Sequence, residues 1–271
     1  MTTGIPVAPV TGASTGIGKA TALALVKAGF EVIGTSRNTM GVAPYDGVTF
    51  LDLEVASDES VTTAVGRVIQ RFGRLDVLVN NAGVGSTGAA EESSVAQDQG
   101  VFDINVFGLI RMTKAVLPQM RAQGNGRIIN ISSVVGFIPM PYMAIYAASK
   151  HSVEGYSESL DHEVREHGVR VLLVEPGWTK TGLDVNSVKA ESPLRIYAEQ
   201  RRIAEKLIAQ AVSDGDDPAI VAKAVVAAAT DKKPKLRYTA GSRAARVSTL
   251  RRLVPAGAFD KQIRKLNQLA G

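Results

Sequence analysis

No cysteine occurs anywhere in the 271 residues, so disulfide scaffolds, thiolate nucleophiles and thiolate metal sites are excluded together. Histidine is almost as scarce. His151, His162 and His167 are the only three, and they fall on one predicted helix, where a solvated face is the simpler reading. No metal site is expected. No uncharged apolar run is long enough to span a bilayer. The opening Met1-Thr2-Thr3-Gly4-Ile5-Pro6 lacks the basic and apolar regions of a secretory signal, so a cytoplasmic location is expected. No linker rich in Gly, Ser or Pro and no internal repeat divides the chain. One domain over residues 1–271 is therefore the simpler expectation, and that length buries enough surface to need no staples.

Charge is unevenly placed. The net +5 comes largely from a C-terminal stretch where Lys232, Lys233, Lys235, Arg237, Arg243, Arg246, Arg251 and Arg252 crowd together. Such a stretch is read either as a binding patch or as a solvated basic surface, and the second reading is preferred. Nucleic acid is not expected as a partner, because no aromatics interleave the cations and no recognition module is visible. A contact with a membrane surface stays open.

The first 180 residues alternate apolar runs with helical segments. Val7–Val10, Glu31–Ser36, Val48–Leu51, Leu75–Asn80, Arg127–Ile131 and Val169–Val174 read as strands. Helices are expected over Ile17–Ala28, from Ser57, over about Val95–Gln123 and over Ala144–His167. Pro193–Val212 and Pro218–Thr230 read as two more, with a last strand at Lys235–Ala240 and basic helices after it. This rhythm predicts an α/β fold: a doubly wound, Rossmann-type parallel sheet of about seven strands with helices on both faces, in three α/β/α layers. Pro9 is awkward in a strand because it donates no ladder bond, which suggests a local irregularity or an edge-like kink there.

Three clusters carry chemistry. Thr11-Gly12-Ala13-Ser14-Thr15-Gly16-Ile17-Gly18 follows the first strand and opens a helix. Glycines there let the backbone approach a pyrophosphate, and the helix start offers unpaired N–H groups. After the second strand stands Thr35-Ser36-Arg37-Asn38, without the carboxylate that usually binds a ribose 2′-hydroxyl. Arg37 suits a 2′-phosphate, so NADP(H) is expected as cofactor in preference to NAD(H). Tyr146 and Lys150 lie four residues apart on a predicted helix, hence on one face. A nearby ammonium is expected to lower the phenol pKa toward neutrality. Ser132 and Ser133 close the fifth strand at the ligand-binding edge of the sheet.

Together these motifs resemble the short-chain dehydrogenase/reductase family, with hints of its hydroxysteroid and retinol dehydrogenase branch. The glycine spacing matches the family's Thr-Gly-x-x-x-Gly-x-Gly, and the thirteen residues between Ser133 and Tyr146 match its catalytic separation, which selects Ser133 over Ser132. The resemblance implies further residues. Asp52 and Leu53 would lie beside the adenine. Asn81, Ala82 and Gly83, after Asn80, would steady the sheet near the cofactor. Asn105 would hold a proton-relay water. Pro176, Gly177, Thr179 and Thr181 would sit near the nicotinamide, and Lys150 would bond its ribose. A homodimer or homotetramer is also implied.

The expected activity is hydride transfer between NADP(H) and a carbonyl or alcohol. Tyr146 would be the acid–base, Ser133 the oxyanion partner, and Lys150 and Asn105 their supports. The alternative is a non-catalytic protein that senses NADP(H). Phe137, Met140, Met143, Trp178 and Leu183, with a lid over residues 183–215, are apolar and suit a bulky apolar substrate. Residues 241–271 are expected as a basic helical extension.

Overall fold

The computed structural model describes residues 4–182 and 187–269. In its first half the elements are β1 (Val7–Val10), α1 (Gly16–Lys27), β2 (Glu31–Ser36), β3 (Val48–Asp52), α2 (Asp58–Phe72), β4 (Val77–Asn80), β5 (Ser86–Thr87), α3 (Val95–Phe102) and α4 (Leu109–Gln123). The second half adds β6 (Gly126–Ile131), α5 (Ala144–Val164), β7 (Val169–Pro176), β8 (Val188–Lys189), α6 (Ala198–Ser213), α7 (Pro218–Thr230), β9 (Arg237–Ala240), α8 (Ser242–Leu253) and α9 (Ala256–Leu266). Seven strands form one parallel sheet in the order β3-β2-β1-β4-β6-β7-β9.

Because strand side chains alternate between faces, each strand feeds two cores. On β4, Leu78 turns to one core while Val77 and Val79 turn to the other. Ile128 and Ile129 divide in the same way on β6, as do Val171 and Leu172 on β7. The first core is closed by Val61, Val65 and Val68 of α2, Met112, Val116 and Met120 of α4, and Leu160 and Val164 of α5. The second is closed by Ala22 and Leu25 of α1 and by Val221, Val225 and Ala228 of α7. Each fully buried Val or Leu contributes about 2 kcal/mol relative to exposure. Local signals set the helix ends. Ser57 caps α2 by accepting from the Ser60 amide, and Gly73, at φ 67°, ends it.

Of the two readings of Pro9, the local irregularity holds and the edge-like kink is corrected: β1 lies in the centre of the sheet. It pairs with β2 along four residues but with β4 only at Val10↔Val79. The Val7 amide donates to Asp76 Oδ2 (2.8 Å) and the Thr11 amide to the Val79 carbonyl (3.0 Å), both on the β4 side. An amide at position 9 would point the same way, and proline has none. The cost is one ladder bond on one side. The long helix expected over Val95–Gln123 is likewise interrupted, because Asp103–Gly108 winds as a π-helical segment between α3 and α4. The helix expected from Pro193 begins later, at Ala198, after a 3-10 turn at Arg195–Tyr197.

Candidate active site

The strand order runs outward in opposite directions from β1 and β4, so a crevice opens beyond their carboxyl ends. The glycine loop follows β1, Asn80–Gly83 ends β4, Ser132 and Ser133 follow β6, and Pro176–Thr181 ends β7. Parallel topology alone thus gathers four of the predicted segments at one edge.

The loop is shaped from beneath. Thr11 Oγ1 accepts the amides of Asn81 and Ala82, both at 2.9 Å, and Asn81 Nδ2 donates to the carbonyls of Thr11 (2.8 Å) and Gly12 (3.1 Å). Gly12 adopts φ 64° and sits on the Ala82 backbone, where an added Cβ would stand 3.1 Å from Ala82 Cα. A Cβ at Gly18 would come within 2.2 Å of the Gly12 carbonyl oxygen. Only hydrogen fits at that crossing. Ser14, Thr15, Gly16 and Ile17 carry the chain into α1, which starts with no side-chain cap and no acid in its first turn. The side chain of Thr181 lies against Gly16. A close backbone cradle facing an uncapped helix start fits a dinucleotide pyrophosphate.

Arg37 is exposed just past β2. Asp52 does not face it as a free carboxylate. It accepts from both the amide and the hydroxyl of Thr39, each at 2.8 Å, and the Thr39 hydroxyl bond is the main force holding its pKa below the usual carboxylate value. Leu53, expected beside the adenine, packs its side chain in the core, 3% exposed; its amide donates to the Ser36 carbonyl (2.8 Å). Sequence reasoning missed two neighbours of the loop. Tyr45 donates its hydroxyl to the Ser14 carbonyl (2.6 Å), and Lys19 lies over the Tyr45 ring at 4.5 Å.

The structure separates the two serines. Ser132 is buried toward Gly136 and Glu154, whereas the Ser133 hydroxyl meets the Tyr146 phenol and accepts the Val135 amide (3.3 Å). Tyr146 and Lys150 are each 7% exposed on α5. Burial pushes the Tyr146 phenol up to about 12, with the Ser133 hydrogen bond pulling the other way. Burial also brings the Lys150 ammonium down to about 8, against the opposing charge of Glu154. The expected lowering of the tyrosine pKa by lysine is therefore corrected. Lys150 Nζ donates to the Ile131 carbonyl (2.9 Å) and stands 5.7 Å from the Tyr146 ring centre, and burial of the phenol dominates its titration.

Asn105 is buried in the π-helical segment. Its Oδ1 accepts the Val84 amide (2.8 Å), and its Nδ2 donates to the Val84 carbonyl (2.9 Å) and Ser149 Oγ (3.1 Å). Ser149 in turn donates to the Tyr146 carbonyl (2.7 Å). The side chain is thus a brace between the end of β4 and the helix of Tyr146. Gly83 packs on Asn105 Oδ1.

Behind Lys150 lies a cluster that no sequence pattern pointed to. Arg237 Nε of β9 stands 3.2 Å from both Glu154 Oε2 of α5 and Glu175 Oε1 of β7, and its Nη2 is 3.0 Å from Glu158 Oε2. Burial first, and the Glu154 charge second, push Glu175 up to about 7.

Four of the five expected substrate residues gather around the tyrosine: Phe137, Met140, Met143 and Trp178 pack in one apolar cluster with Tyr146, Ile208 and Val247. Leu183 lies outside the described residues. Pro176 is buried at the end of β7, beside Gly177, and the Thr179 hydroxyl donates to the Gly177 carbonyl (3.1 Å). The segment expected as a lid is tied down, at Leu194 and Arg201, by a group that sequence reasoning also missed. Fully buried Glu92 accepts the Ala89 amide (2.9 Å), the Leu194 amide (2.7 Å) and the Arg201 guanidinium. Beside it β5 and β8 form a separate two-stranded parallel sheet.

Comparison with known proteins agrees with this geometry. A family model described as short chain dehydrogenase matches residues 6–192. The 3-ketodihydrosphingosine reductase of Bacteroides thetaiotaomicron is 39% identical over 234 residues, covering 86% of this chain and 86% of the relative. Retinol dehydrogenase 8 of Bos taurus is 33% identical over 272 residues, covering 92% and 86%. A crystal structure of a short-chain dehydrogenase from Streptomyces avermitilis matches with a TM-score of 0.80 at 36% identity, covering 98% of this chain and 96% of that one. Other solved structures of this fold are complexes with NAD in one case and NADP in another.

Proposed function

The chain belongs to the short-chain dehydrogenase family, and on that premise we propose that it interconverts a bulky apolar ketone or aldehyde and its alcohol with NADP(H). The observation that carries this reading is the meeting of the Ser133 hydroxyl with a buried Tyr146 phenol inside an apolar wall. The dinucleotide would be held by the backbone of Gly12–Gly18, with Arg37 at its 2′-phosphate and Thr179 and Thr181 toward its nicotinamide end. When bound, it supplies or takes up the hydride.

The rest is the work of this chain's own side chains. Tyr146 carries its proton at neutral pH and donates it to the substrate oxygen as charge builds there. Ser133 donates a second hydrogen bond to the same oxygen, the role of a small oxyanion site. Lys150 spends one N–H on the Ile131 carbonyl and keeps the others for the ribose. Phe137, Met140, Met143 and Trp178 exclude water and accept apolar surface. Relatives named for a long-chain keto-sphingoid base and for retinol support an apolar substrate, and the absence of an acid beside Arg37 in Thr35–Asn38 supports the phosphorylated cofactor.

Two variants test this. Tyr146→Phe is expected to keep NADPH binding within a few-fold while turnover of an apolar ketone falls about 10²–10⁴-fold, the usual weight of a general acid. Arg37→Asp is expected to lower the NADPH-to-NADH efficiency ratio by about 10–100-fold, the weight of one charge-assisted pair. Equal turnover in the first, or an unchanged ratio in the second, overturns the corresponding assignment.

A further inference from the structure

Residues 242–271 hold seven Arg and Lys against one acid, Asp260, a net of six positive charges. The whole chain nets +5, so the other 241 residues together net −1. The net positive charge of this protein therefore resides in α8 and α9. Segregation of this degree is a directional field.

Apolar side chains share that surface. Along α8, Ala244 is buried beside Gly177, and Val247 packs with the cluster around Tyr146. Arg251 Nε donates to the Phe137 carbonyl (3.2 Å), with its guanidinium 5.1 Å from the Phe259 ring of α9. Positions 244, 247 and 251 thus form the inward stripe. Positions 246, 250 and 253 form the stripe turned away from it. They hold exposed Arg246, with Leu250 at 46% and Leu253 at 77% exposure, while Leu266 at the end of α9 is 60% exposed. The inner face of α8 walls the catalytic pocket, and its outer face, about 10 Å away across one helix, presents leucines among cations.

We infer that α8 and α9 dock the protein on an anionic lipid surface, with Leu250, Leu253 and Leu266 entering the interface and the surrounding Arg and Lys meeting headgroup charges. Among the described residues no helix is long and apolar enough to cross a membrane, so the contact lies in the interfacial plane. Other occupants fit the surface less well. A second copy of the chain in a twofold interface would set this positive patch against its own image. Nucleic acid would use the cations but leave the leucines without a partner, and the one aromatic of the two helices, Phe259, is already occupied by Arg251. Anionic lipid uses both. Docking here sets the pocket wall against the bilayer, where a bulky apolar carbonyl compound is dissolved. That consequence rests on the proposed apolar substrate, whereas the docking itself does not.

The test reads binding without turnover. The full chain is sedimented with extruded vesicles of phosphatidylcholine alone and of phosphatidylcholine mixed two to one with phosphatidylglycerol. Partition into the mixed vesicles is expected to exceed that into neutral ones by at least tenfold and to fall as salt rises. Arg246→Glu is expected to weaken it about fivefold or more, the usual weight of one basic residue at an anionic surface. Leu250→Ser with Leu253→Ser is expected to weaken it at least tenfold while leaving thermal melting and turnover of a water-soluble ketone unchanged. Equal partition into both vesicles, or into neither, overturns the inference. So does loss of a dimer, in place of loss of vesicle binding, on making the leucine changes, or salt-sensitive retention on duplex DNA that those changes leave intact. Turnover without vesicle binding sinks only the docking, and vesicle binding without turnover sinks only the catalytic reading.

Discussion

Replacing Glu175 by glutamine is expected to stabilise the protein at alkaline pH and to leave it nearly unchanged in acid. Glu175 is 1% exposed on β7, and both of its carboxylate oxygens lie away from water. Burial, then the neighbouring Glu154 carboxylate, raise its pKa from 4.5 to about 7, with Arg237 of β9 and Arg252 of α8 pulling back. The folded chain therefore binds this proton more tightly than the unfolded one. Stability is complete below about pH 4.5, falls as pH rises toward 7, and stays low above it. A gap from 4.5 to about 7 corresponds to about 3 kcal/mol. Glu154 shares Arg237 and titrates with Glu175, so part of that sum passes to the partner. The expected gain for Glu175→Gln is then about 1–3 kcal/mol at pH 8 and near zero at pH 4.5. Urea unfolding at the two pH values measures it, since about 2 kcal/mol moves the midpoint by roughly 1 M at a slope of about 2 kcal/mol/M. A variant less stable than the parent at pH 8 would refute the reasoning. It would mean that the Arg237–Glu175 attraction outweighs the desolvation of the carboxylate.

Two further outcomes follow from the site. Arg201→Met leaves Glu92 buried without its cation, which is expected to cost about 3 kcal/mol or more of stability, read as a lower urea midpoint, and to raise KM for an apolar ketone about tenfold or more; an unchanged KM would show that the clasp plays no part in holding substrate. With Tyr146 at about 12, kcat/KM for alcohol oxidation is expected to rise steadily between pH 6 and 9 while that for carbonyl reduction does not rise, and an oxidation optimum near pH 7 would contradict a phenol held protonated by the protein.

The parts of this protein legible in sequence are those whose chemistry imposes short spacings. Tyr146 and Lys150 are one helical turn apart, and the glycine loop must join a strand to a helix, so both leave a local trace. Strands buried on both faces, as β1, β4, β6 and β7 largely are, leave another, whereas the half-exposed edge strands β3 and β9 were legible from the strand–helix rhythm. Ser133 needed more. Periodicity alone could not choose it over Ser132; the family spacing did, and the structure shows the cause, since neighbouring residues leave β6 toward opposite sides. What was not legible is held by partners far apart in sequence. Glu92 and Arg201 are separated by 109 positions, and Glu154 and Arg237 by 83; neither pair sits in any local pattern. The π-helical turn at Asp103–Gly108 was hidden for a different reason. Its residues satisfy helical periodicity, and only the triple demand on the Asn105 amide from Val84 and Ser149 explains the extra residue in the turn.

The electrostatics of the pocket set the protonation state in which the site rests. In the protein itself Lys150 does not touch the phenol, and burial dominates, so ionising Tyr146 at pH 7 costs about 7 kcal/mol. The neutral phenol is the form that donates a proton to a forming alkoxide, and it is the form the fold supplies. Lys150, near 8, is mostly an ammonium at neutral pH, and Glu154, one turn further along α5, helps keep it so. Arg237 in turn balances Glu154 and Glu175, so the carboxylates support the ammonium without flooding the pocket with negative charge. Each buried charge has a neighbour of opposite sign except the tyrosine, which stays neutral. A site wired this way rests with its phenol protonated, the form from which the proposed proton donation to a substrate oxygen starts.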